Sequence, residues 1–186
     1  CPVVFFSFKD TDGLTFESAY GMLRMKLAFA FQDYQFLLDD DAISDDDKSI
    51  FKRILGRTAS MDETKSCFLL LTRMLEIHFK KSAVVILDEY DVPIAKASSN
   101  GYYSQMLDVM RAMMSTTLKD NTSLDFAVIT GCLKIAKESI FTGTNNFVSD
   151  TILSPRLSES FGFTQTDVDQ MLKDAGLESQ SAEIKA

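Results

Sequence analysis

The chain alternates between short apolar runs and long stretches in which apolar residues return every third or fourth position. The first run, Pro2 to Phe8, is almost uninterrupted, as expected of a strand covered on both faces. Polar Lys9, Asp10, Thr11, Asp12 and Gly13 then make a turn. From Thr15, a preferred N-cap residue, the period changes: Phe16, Tyr20, Leu23, Leu27, Phe31, Tyr34 and Leu38 predict one long amphipathic helix. A shorter helix is predicted from Ser44 to Leu55, ended by Gly56. Ser60 and Glu63 form a capping-box pattern that opens another helix, with Cys67, Leu71, Met74 and His78 on one stripe.

Ala83 to Leu87 is the second apolar run, and it leads straight into Asp88, Glu89 and Asp91. Asn100-Gly101 breaks the chain before a helix whose face is Tyr102, Met106, Val109, Met110 and Met113, the methionines serving as flexible core filling. Leu124 to Ile129 is the third strand and ends on Thr130-Gly131. Lys134 to Ser139 leads into the loop FTGTNNF, and Phe147 to Leu153 fits a fourth, short strand. Thr164, with Asp167 in the first turn, caps a last helix bearing Val168, Met171 and Leu172. The expected organisation is one domain over residues 1–176 and a polar tail, 177–186.

Strands separated by helices predict an α/β fold: a three-layer parallel sheet with helices on both faces. In such sheets ligands bind outside the carboxyl ends of the strands. That rule places Asp88-Glu89 and Thr130-Gly131 on one rim.

Composition narrows the function classes. With 186 residues, 46% hydrophobic and 25% charged, the chain can bury a proper core. No stretch reaches the roughly 18 uninterrupted apolar residues of a spanning helix, so no membrane partner is expected. The net charge of −8 argues against a broad electrostatic grip on nucleic acid. The acids Asp39 to Asp41 and Asp45 to Asp47 read as a solvated loop between helices. Cys1, Cys67 and Cys132 have neither zinc-site nor disulfide-framework spacing, which suits a reducing, cytoplasmic setting. His78, the sole histidine, falls near a helix C-terminus beside Lys80 and Lys81, where capping or packing is expected of it. The chain shows no basic leader, opens on a strand without Met, and reads as a segment of something longer.

The three acids after the second strand have two readings: ligands for a metal ion and a water in phosphate chemistry, or a solvated turn. An apolar strand ending in Asp-Glu matches the Walker B pattern. Mg²⁺ takes hard oxygen ligands and keeps several waters, so one carboxylate at a strand tip can hold it beside a triphosphate. An adjacent carboxylate can orient and deprotonate the attacking water. Asp88 suits the first role and Glu89 the second.

ILDEYDVPI, VITGCLKIAKESIFTGTNNF and FGFTQTDVDQML, with PVVFFSFKD and ISDDDKSIFKRIL, resemble the AAA-ATPase-like family of P-loop proteins over about residues 2 to 173. In that family the module is often followed by a nuclease-like domain. The resemblance implies ATP and Mg²⁺ as cofactors of the parent protein, with Asp88 on the metal, Glu89 activating water, and Thr130 as the polar sensor. It implies that Asp91 and Pro93 shape the DEYDxPI turn. Lys134 stands where the family is expected to have arginine, and Lys137, Ser139, Asn145 and Asn146 belong to the motif that follows. The resemblance implies nucleotide contacts from Lys134, Lys137, Asn145 and Asn146.

One feature departs from that pattern. A Walker A loop needs G-x-x-x-x-G-K-[ST], and no Gly-Lys pair occurs in the chain. Gly56-Arg57-Thr58 lacks the upstream glycine and follows a helix. In the family the phosphate loop precedes the segment where this chain begins, so the expected core lacks its phosphate-loop strand and binds no nucleotide tightly alone. The edge from Phe126 to Ile129 would then need cover from another chain or copy, from a rearranged strand near Phe147 to Ile152, or from an upstream segment. Three functions remain open: part of an ATP-hydrolysing core, a non-catalytic interaction or regulatory module on a degenerate NTPase fold, and metal-dependent nucleic-acid cleavage by the DEYD acids.

Overall fold

In a computed structural model, which describes residues 1–132, 148–151, 154–157 and 162–180, the three apolar runs form one parallel sheet. Its order is β1 (Val3–Ser7), β2 (Ala83–Asp88) and β3 (Leu124–Ile129). β1 pairs with β2 from Val3↔Val84 to Ser7↔Asp88, and β2 pairs with β3 up to Leu87↔Ile129. Parallel pairing puts all three carboxyl ends on one rim.

Helices α1 (Phe16–Gln32), α2 (Asp45–Leu55), α3 (Met61–Lys65) and α4 (Cys67–Phe79) link β1 to β2. Helices α5 (Val92–Asn100) and α6 (Tyr103–Leu118) link β2 to β3. The caps act as their sequences predict: Thr15 accepts from the Ser18 amide, Ser44 from Asp47, and Ser60 and Glu63 bond reciprocally. Each such cap contributes about 1 kcal/mol.

Three helices differ from expectation. The first stops at Gln32 and is followed by a 3-10 helix, Gln35–Asp39. Between them Tyr34 turns its hydroxyl to the Val3 carbonyl, 3.0 Å away, tying the end of α1 to β1. The helix predicted from Ser60 is two helices, broken at Ser66, whose hydroxyl donates to the Asp62 carbonyl at 2.9 Å. Helix α5 was not anticipated, because three acids and a proline read as loop. Pro93 sits in its first turn, where a missing N–H leaves no gap, and Gly101 ends it at φ 81°.

The register sorts the strand residues into two faces. Val4, Phe6, Val85 and Leu87 lie on one, with Ala127 and Ile129 beside them. They pack into the same core as Leu23, Leu27, Phe31, Phe68, Leu71, Met106, Met110 and Met113. The opposite face is equally apolar, yet Val3, Phe5, Phe126 and Val128 remain 42% to 57% exposed. Among the described residues the helical layer covers one face, and the second layer expected from the apolar runs is not found. An apolar run reports that both faces avoid water, not which segment excludes it.

Among the described residues β3 pairs with β2 alone. Of the fourth strand expected at 147–153, residues 148–151 have no regular structure, and 147, 152 and 153 lie outside the described residues. The acidic loop is less solvated than expected. Asp47, in the first turn of α2, is buried and paired with Arg73 of α4. Asp40 accepts from the Ala42 amide at 2.9 Å and pairs with His78 Nδ1 at 2.8 Å, bonds that hold its carboxyl below the usual range. His78 thus has the packing role its position suggested, against Phe36 and Phe79. All three cysteines are free, and burial pushes the Cys67 thiol far up.

Contacts divide the chain into two units, Cys1–Thr144 and Asn145–Ala186. In the second, α7 (Gln165–Asp174) carries the predicted cap, a reciprocal box between Thr164 and Asp167. No described helix is long and apolar enough to cross a membrane.

Candidate functional site

The rim gathers polar groups from all three strands because each apolar run gives way to a polar residue at its carboxyl end. Ser7 lies opposite Asp88 in the ladder, and Thr130 follows directly on β3. The Thr130 hydroxyl donates a hydrogen bond to Asp88 Oδ1. The two strand tips that sequence reasoning placed on one rim are therefore in contact. Ser7 was missed: its only signal was a hydroxyl at the end of an apolar run.

Backbone pairing continues past the strand ends with one irregularity. The Thr130 amide donates to the Leu87 carbonyl at 2.9 Å, and the Phe8 amide to the Asp88 carbonyl at 2.9 Å. In an unbroken parallel ladder the Glu89 amide would next meet the Thr130 carbonyl. The Tyr90 amide does so instead, at 3.2 Å, which leaves Glu89 as an extra residue in a bulge. Glu89 has φ 54°, a left-handed conformation that is strained by about 1 kcal/mol or more in a residue with a Cβ. Such strain persists only where neighbouring bonds impose it. Here it takes the Glu89 side chain out of the ladder beside Asp88, and among the described residues its carboxylate has no hydrogen-bond partner.

Asp91 closes the turn. It is 3% exposed and immediately precedes α5, where a helix N-terminus favours negative charge. Tyr90 is half-buried beside it, and burial together with the Asp91 charge holds its phenol above the ordinary value. Gly131 lies under both residues.

The donors at the rim are hard oxygens: the Asp88 carboxylate and the Ser7 and Thr130 hydroxyls. Such a set fits Mg²⁺ and offers nothing soft enough for a thiolate metal. Among the described residues no group of three or more His, Cys, Asp or Glu side chains gathers. Lys134, Lys137, Ser139, Asn145 and Asn146 lie outside the described residues.

Comparison with known proteins adds a family. Residues 1–141 match the AAA-ATPase_like family model, described as a predicted AAA-ATPase. A protein of Azotobacter chroococcum mcd 1, "Uncharacterized protein in vnfD 5'region", is 30% identical over 122 residues, which are 65% of this chain and 23% of that protein. The chain thus spans about a quarter of the length of the relative it matches. No solved structure matches.

Proposed function

The chain belongs to the predicted AAA-ATPase family, and from that premise we propose that it forms the Walker B and sensor half of an ATP-binding and ATP-hydrolysing core. The observation that supports this most strongly is the hydrogen bond from Thr130 to Asp88 across two adjacent strand tips. Phosphoryl transfer needs a metal-holding carboxylate, a second acid for the water and a polar group near the transferred phosphate, all within one small volume. Under this proposal the three are Asp88, Glu89 and Thr130.

In this reading Asp88 holds Mg²⁺, with Ser7 at its side. When bound, Mg²⁺ supplies neutralising charge to the phosphates. Glu89 accepts the proton of the attacking water, and its displacement from the ladder leaves the carboxylate open to that water. Thr130 orients the water or the γ-phosphate through its hydroxyl. Lys134, Lys137, Asn145 and Asn146 are proposed as nucleotide contacts on the family resemblance alone, and all four lie outside the described residues. The phosphate cradle comes from outside these residues, on a strand beside β3 whose following helix covers the open sheet face. The protein works in the cytoplasm.

The test is Mg²⁺-dependent ATP hydrolysis by the complete polypeptide and by the 186-residue chain. Turnover by the first and none by the second is the expected result. A second reading, a non-catalytic module that positions a protein partner, draws on the exposed apolar face and the absent Gly-Lys pair. It requires no turnover in either form and a partner bound through Phe5 and Phe126.

A further inference from the structure

The turn carrying Asp88 and Glu89 presses against β3 at a point where no larger residue would fit. A Cβ on Gly131 would lie 2.5 Å from Asp91 Oδ1 and 2.7 and 2.9 Å from ring carbons of Tyr90. Gly131 is not among the glycines with positive φ, so the need here is for space and not for an unusual backbone conformation. Asp91 is buried, so its carboxylate cannot swing away freely.

We infer that Asp91 and Gly131 are positioning residues of the candidate ATP site: their close approach locks the acid turn onto the sensor strand, so that Asp88, Glu89 and Thr130 keep one fixed geometry. The consequence for turnover rests on the ATP-site reading; the lock itself does not. Two bonds depend on the approach, from the Tyr90 amide to the Thr130 carbonyl and from the Thr130 hydroxyl to Asp88. The first also enforces the left-handed Glu89, because it skips that residue in the ladder. Pushing Tyr90 and Asp91 off Gly131 lengthens this bond and lets Glu89 relax. The other side of β2 is untouched, since the Phe8 amide reaches the Asp88 carbonyl from β1. A glycine serving only as a chain break at ordinary φ would accept alanine without effect.

Amide exchange followed by NMR in the 186-residue chain tests the lock directly. In folded Gly131→Ala the Tyr90 amide is expected to exchange about tenfold faster while the Phe8 amide keeps its protection. Asp91→Ala, which empties the space above Gly131, is expected to loosen the same amide and serves if the alanine variant does not fold. Gly21→Ala, with nothing within 4 Å of the added Cβ, is the neutral control. In the complete polypeptide Gly131→Ala is expected to lower kcat by about 100-fold and to leave KM for ATP nearly unchanged. Unchanged Tyr90 protection in a folded variant overturns the lock. A wild-type polypeptide without turnover sinks the ATP reading instead, and the exchange result still decides the lock.

Discussion

Phe5 and Phe6 are the same residue type, adjacent in one strand, and they are 57% and 4% exposed. Phe6 points into the helices, edge-on to Phe8 and Phe68 with ring centroids 4.9 and 5.3 Å away. Phe5 shares its face with Ile86 and Val128, and among the described residues no helix packs there. The two faces are alike in residue type, and on the outer strands they differ in coverage. Val3, Phe5, Phe126 and Val128 are exposed where Val4 and Phe6 are buried, while Val84 of the central strand is buried. A face this apolar is built to meet something, and helices α1 to α6 are committed to the other side. Among the described residues the outer edge of β3 is unpaired and adjoins the open face, so the proposed strand with its helix, placed beside β3, would account for both.

The largest effect expected from this contrast is on stability. Phe6→Ala should cost about 3–5 kcal/mol in urea unfolding, the usual range for an aromatic removed from a packed core. Phe5→Ala should change the stability of the 186-residue chain by no more than about 0.5 kcal/mol, as surface substitutions do. Equal losses at both positions would mean that the second face is covered after all. A smaller effect tests the proposed cover. In the complete polypeptide Phe126→Ala should cost about 2–3 kcal/mol, because the proposed strand and helix then bury it. In the 186-residue chain the same change should be nearly neutral. A neutral result in both would remove the proposed cover.

The smallest effect concerns the closed side at alkaline pH. Burial first, and the neighbouring Asp33 charge second, raise the Tyr34 phenol above its ordinary 10.0. The folded phenol then keeps its proton where the unfolded chain loses it. Stability is therefore intact below pH 10 and falls as the pH rises through the folded value. Urea unfolding of wild type and Tyr34→Phe on either side of that pH should show a steeper loss for wild type. Parallel losses would mean that the phenol is not held buried beside Asp33 in the folded protein.

Much of the frame was legible because the strand signals are unusually clean. Pro2–Phe8, Ala83–Leu87 and Leu124–Ile129 are short apolar runs, and the long helical stretches between them leave parallel pairing as the natural arrangement. The rule that ligands gather at carboxyl ends joins Asp88 to Thr130 from the sequence alone. What was not legible depends on contacts between distant residues. Nothing local marks Asp47 as buried, since its partner Arg73 lies 26 residues on. Pro93 after three acids looks like loop, although a proline in the first turn and Gly101 beyond the last are helix boundaries. The approach of Asp91 to Gly131 follows from the meeting of two strand tips, and no periodicity encodes it. Which face the described helices cover was not legible for a simpler reason: Val3 and Val4 are the same letter, and only the fold says which one meets a helix.

The central claim is that the acid pair at the end of β2 performs hydrolysis beside Thr130. The most direct measurement is ATP turnover by the complete polypeptide carrying Glu89→Gln, with ATP affinity measured alongside. The account predicts that kcat falls by a factor on the order of 100 to 10,000, the range for a positioned general base, while ATP still binds about as tightly as to wild type. Wild-type turnover in a folded Glu89→Gln protein would contradict it.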